Sequence, residues 1–122
     1  MRKHQDEFHA IQTSDLSTWD TVFNPVMEAE IGRLMLRKDP ETGAEIRMIR
    51  YPRGVINPVH THPCGHGIFV LEGTLCTHKG DFGPRSWVWF PKGEIMEHGA
   101  TKDGDVIGVF ITDGEFDIFY EE

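Results

Sequence analysis

The chain has 122 residues, of which 39% are apolar and 26% charged, and it carries a net charge of −8 at neutral pH. That size suits one domain with a real core, and this apolar-to-charged balance excludes a disordered chain. The acidity argues against a nucleic-acid partner, which would need a basic stripe, and no apolar run approaches the roughly 18–20 residues that cross a bilayer.

The opening MRKHQDEFHA starts basic but has no apolar segment behind it. No signal peptide is read there, and a cytoplasmic location is expected. Residues 1–18 are polar and are expected to form an irregular arm ahead of one domain over residues 19–122. Short β-like runs then follow one another, broken by turn signals. Glu30 to Lys38 ends at Asp39-Pro40-Glu41-Thr42-Gly43, and Ala44 to Tyr51 alternates apolar with polar, so the pair predicts a hairpin. Met48 and Arg50 share one face of the second run. Directed inward, Arg50 would suit a substrate carboxylate; directed outward, it is a surface residue.

Val55 to His62, Gly67 to Leu71 and Thr74 to His78 come next, with a tight turn at Glu72-Gly73. Lys79 to Pro84 is dense in turn formers. Ser86 to Phe90 is aromatic and strand-like, with Trp87 and Trp89 on one face, expected to pack in the core or a dimer rather than stack on substrate. Pro91-Lys92-Gly93 closes it, and Val106 to Thr112 and Phe116 to Tyr120 finish the chain. From Thr101 onward seven acids face one lysine, which predicts a solvated rim. Cys64 and Cys76 are expected as free thiols. No helical period is sustained after residue 18, so an all-β sandwich or barrel is expected.

Residues 60–66 read HTHPCGH. Strand side chains alternate, so His60 and His62 point the same way. Pro63-Cys64-Gly65 then turns the chain, and His66 opens the next strand. Three imidazoles at a strand–turn–strand junction can meet at one metal, for which neutral imidazole is the commonest protein ligand. Cys64 is expected to point away. A distant His98, in the tripeptide EHG, is a fourth candidate, whereas His78, His4 and His9 are left out of the site.

The spacing of Gly54, His60, His62, His66 and Gly73, with five, one, three and six residues between them, resembles the first motif of the cupin superfamily. The resemblance implies a jelly-roll barrel holding a metal inside, bound by first-motif residues and one histidine of a second motif. Two departures stand out. His66 replaces the usual Glu, which is similar to the four-histidine subgroup of small cupins. In the second motif, Pro91-Lys92-Gly93 is followed by four residues before His98, two more than usual, and Arg85 takes the place of the leading Gly. Either that loop is longer, or Glu94 or Glu97 replaces His98. The resemblance therefore implies His60, His62, His66 and His98 around a divalent Fe, Mn, Ni or Zn ion, a small-molecule substrate and a homodimer. The expected function is a dioxygenase-like enzyme acting on an enolisable, hydroxy- or diketone-type substrate. Its alternatives are a non-catalytic metal or ligand sensor, and an isomerase or lyase of a small carbohydrate-derived molecule.

Overall fold

Period-two alternation gives each run one apolar face, and the frequent Gly, Pro and Asp turns keep the runs short, so the faces can close only by stacking two sheets. The structure, a computed structural model, describes residues 7–121; residues 1–6 of the expected arm, with His4, lie outside them. After a single 3-10 turn (Leu16–Thr18), the strands are β1 (Asp20–Asn24), β2 (Ala29–Lys38), β3 (Glu45–Tyr51), β4 (Ile56–Thr61), β5 (His66–Glu72) and β6 (Leu75–Thr77). They continue as β7 (Gly80–Phe82), β8 (Trp87–Phe90), β9 (Met96–Ala100), β10 (Val106–Thr112) and β11 (Phe119–Tyr120). All pairings are antiparallel. One sheet runs β1-β2-β3-β10-β5-β8 and the other β11-β4-β9-β6-β7, which together form a jelly roll. No helix among the described residues is long and apolar enough to cross a membrane.

Three strands, β1, β7 and β9, are not among the runs read from the sequence. β1 is exposed at four of its five positions and so has no alternating pattern to read. β7 sits within Lys79–Pro84 and exists because Gly80, Asp81 and Phe82 pair with Thr77, Cys76 and Leu75. Of Phe116 to Tyr120, only Phe119 and Tyr120 pair, against Thr61 and His60.

The core lies between the sheets and includes Ile49, Tyr51, Ile68, Leu75, Phe90 and Phe110. Burying each such side chain is worth roughly 1.5–3 kcal/mol. Register fixes which residues join it. β10 sets Phe110 opposite Arg47, Gly108 opposite Ile49 and Val106 opposite Tyr51, so the odd-numbered side chains of β3 face inward. Two glycines let the layers close. Gly73 has φ +78° beside the Asp105 carbonyl, and a side chain on Gly99 would collide with the Val55 carbonyl. The second matters most, because it seats β9 against β4 one residue after His98.

Candidate metal centre

His60 lies near the end of β4 and His62 just beyond it, while β9 sets His98 opposite Asn57. The β4–β9 register breaks between Asn57 and His60. Pro58 sits at that break, where its missing N–H is tolerated. Its carbonyl accepts a hydrogen bond from His60 Nδ1 at 2.6 Å. His62 Nδ1 likewise donates to the Asp117 carbonyl at 2.6 Å. A carbonyl can only accept, so both rings carry the proton on Nδ1 and present a bare Nε2. Both Nε2 atoms are buried without a partner, as are both nitrogens of His98.

One ring nitrogen from each of His60, His62 and His98 lies within 4.8 Å of the others, and all three residues are buried. Burial pushes the pKa of each below the ordinary value: His62 to about 4 despite its bond to the Asp117 carbonyl, His60 downward despite that to Pro58, and His98 well down. The rings are therefore neutral at neutral pH, the form that binds metal. Bare nitrogens converging in a buried interior fit a divalent transition ion.

His66 stands beside this set. Its ring is 4.7 Å from that of His62 and 5.5 Å from that of His98, centroid to centroid. Phe90 and Phe110 stack on it, each at 4.7 Å. Its Nε2 meets Met96 Sδ at 3.2 Å, and its Nδ1 is buried without a partner. Burial, with the neighbouring histidines, takes its pKa down to about 2.

A cavity of about 210 Å³ adjoins the histidines, lined by His62 and His98 and by Arg47, Tyr51 and Asn57 among others. A wider groove of about 880 Å³ follows Met35 to Gly43 and Glu115, and none of His60, His62, His66 or His98 borders it.

The expected substrate residues of β3 require correction. The cavity is lined by Arg47, Ile49 and Tyr51, not by Met48 and Arg50. Arg50 is on the opposite face, paired with Asp105. Met48 is buried on that same outer side, where it borders a surface hollow with Trp19 and Leu71. Arg47 was missed because alternation places it on one face with Ile49 and Tyr51 without showing that this face turns inward. The two substitutes considered for His98 lie elsewhere: Glu94 takes a hydrogen bond from His78, and Glu97 is half-buried one position off the His98 face. Cys64 and Cys76 are free thiols, and Cys64 is buried, with its Cβ near Gly114. Trp87 and Trp89 are 52% and 44% exposed and stack on each other. The acidic C-terminal region does more than form a rim, since Asp113 Oδ1 also accepts the Gly65 N–H at 2.9 Å.

A family model described as "ChrR Cupin-like domain" matches residues 9–117. Among solved structures, the chain is similar to a cupin-like protein from Thermotoga maritima (18% identity, 75% of this chain and 76% of that one, TM-score 0.66). It is similar also to the polyketide cyclase RemF from Streptomyces resistomycificus (17% identity, 93% and 87%, TM-score 0.70). A third likeness is to a chain in the complex of Rhodobacter sphaeroides SigE with the anti-sigma ChrR (22% identity, 84% and 52%, TM-score 0.67). At these identities the structures share the fold. No curated protein sequence matches.

Proposed function

This chain belongs to the ChrR cupin-like domain family, and from that premise we propose that it is a metal-dependent enzyme of small organic molecules, with a dioxygenase-type reaction on an enolisable, hydroxy- or diketone-type substrate. The observation that carries this reading is the cavity of about 210 Å³ opening directly on His62 and His98. At roughly 30 Å³ per water it has room for about seven, enough for a small metabolite. A purely structural metal would need no such room.

His60, His62 and His98 would hold the ion, and His66 would supply the fourth nitrogen. When bound, it would serve as a Lewis acid and, if Fe or Mn, open O₂ chemistry. The protein's own contributions are separate. The Pro58 and Asp117 carbonyls keep the His60 and His62 rings turned with Nε2 inward. Phe110, Phe116 and Ile49 form the apolar wall that limits water. The Tyr51 hydroxyl, its pKa pushed up by burial, stays protonated beside His98, with rings 5.7 Å apart.

The family match favours a second reading, a metal or ligand sensor, since the complex of similar fold contains an anti-sigma protein. Oxygen uptake by Fe- or Mn-loaded protein across a panel of hydroxyketones and β-diketones separates the two. Turnover with any member supports the enzyme; uptake with none overturns the oxygenase. The proposal includes a homodimer through the exposed Trp87, Trp89, Phe69 and Leu71. Sedimentation as a monomer at micromolar concentration would overturn that part.

A further inference from the structure

A methionine stands among the four histidines. Met96 is 1% exposed and belongs to the core between the sheets. The β4–β9 pairing sets it opposite His60, and period two puts it on the same face of β9 as His98. From the other sheet, His66 Nε2 comes within 3.2 Å of its Sδ. Imidazoles carried by β4, β5 and β9 therefore border one thioether. A leucine would fill the same space, since volume-conserving swaps in a core cost little. What methionine adds is a polarisable sulfur with two lone pairs and no proton. One hydrogen bond from His66 leaves the second pair free.

The charges at the centre point the same way. Nitrogens of His60, His62 and His98 gather within 4.8 Å of one another with no Asp, Glu or Cys in the group. Glu45, the buried acid among the described residues, is engaged by Arg47 at 3.5 Å and Lys38 at 3.7 Å. The donors are therefore all neutral. Holding an ion away from water costs energy that grows with the square of its charge, so a monovalent ion costs roughly a quarter as much as a divalent one. Nitrogen alone suits a divalent ion; a thioether and the lack of a carboxylate shift the balance, because soft sulfur favours copper(I). We propose that the centre is selective for copper(I), with Met96 Sδ as a donor beside the imidazoles. The inference rests on the metal-centre reading and deepens it by naming the class of ion.

The test is anaerobic competition for copper(I) against the chromogenic chelator bicinchoninate, and for zinc(II) against a zinc indicator, on protein purified without an affinity tag. Met96→Leu keeps the bulk of the side chain and removes its sulfur. It should weaken copper(I) binding at least about tenfold and change zinc(II) binding by less than about threefold. Met48→Leu, on the outer face of β3, should change neither. If Met96→Leu does not fold, X-ray absorption at the copper edge decides on parent protein labelled with selenomethionine, where a bound sulfur becomes selenium in the first shell. Met27 also borders the cavity, so labelled Met27→Leu must keep that shell. Selenium beside copper, or a loss confined to copper in Met96→Leu, supports the proposal. No loss, equal losses for both ions, or a copper shell of nitrogen alone would overturn it. Zinc bound by the parent with copper affinity unchanged in Met96→Leu overturns only this inference. Neither ion bound by the parent overturns the metal reading itself.

Discussion

The two faces of β3 carry arginines three residues apart that have opposite fates. Arg50, on the outer face, is one-third exposed and paired with Asp105, whose second oxygen accepts the Arg53 N–H at 2.7 Å. Arg47, on the inner face, is buried over two phenyl rings with its Nε unmet. The same contrast extends across the barrel. Every buried side-chain nitrogen or oxygen without a partner among the described residues belongs to Glu45, Arg47, Asn57 or one of the four clustered histidines. A folded chain seldom tolerates such atoms unless something else completes them. The difference separates an outer face whose polar groups the protein itself completes from an inner end that gathers the candidate metal ligands.

The sharpest way to break this comparison is to remove one imidazole. His62→Ala should take protein purified without an affinity tag from stoichiometric metal to background by elemental analysis, while Arg50→Gln keeps its full complement. Equal metal in both would mean that the inner orphans do not serve an ion. His66→Ala is an intermediate case, since Met96 and two phenyl rings already hold that side chain. As a fourth ligand it should weaken metal affinity by more than about 10–100-fold, the range typical of losing a group that only supports a ligand.

How much of this was legible follows from the kind of signal involved. His60, His62 and His66 could be placed at one junction because period two and a Pro-Cys-Gly turn are local facts. His98 needed the resemblance, as its neighbour Asn57 is reached only through the β4–β9 pairing. Arg47 was hidden because alternation shows which residues share a face but not which face turns inward. Tyr51 opposite Val106 and Ile49 opposite Gly108 settle that, and both are contacts between distant segments. β1 was hidden for the reverse reason: a strand exposed along its length has no pattern to read. Asp117 was read as solvated rim, yet its carbonyl orients His62, a role of the backbone that no side-chain identity reveals.

Acid should separate the two faces next. A histidine whose folded pKa lies below its unfolded value binds fewer protons when folded, so stability is full above the unfolded value and declines as pH falls. For His62 the window runs from 6.5 down to about 4, and for His66 it extends to about 2. The His62 displacement alone corresponds to about 3 kcal/mol. Urea unfolding of metal-free protein should therefore show stability falling steadily below about pH 6.5, and His62→Ala should flatten part of that slope. A profile that stays level down to pH 4 would mean that the imidazoles are solvated rather than buried.

The smallest effect should come from the outer pair. Burial raises the Asp105 pKa, but hydrogen bonds from the Arg53 N–H and from Arg50 more than reverse this and hold the carboxyl below its usual range. Arg50 and Asp105 are nevertheless 34% and 39% exposed at the side chain. A half-exposed ion pair is screened by water and salt, so Arg50→Gln should cost about 1 kcal/mol or less in urea unfolding. A double-mutant cycle with Asp105→Asn isolates the pair from the Arg53 N–H bond that Asp105 also makes. The coupling should shrink further in high salt, while metal content stays at the parent value. A coupling above about 2 kcal/mol, or any loss of metal, would show that the outer arginine helps to shape the site through the strand the two residues share. In that case the two faces of β3 would be one functional unit rather than two.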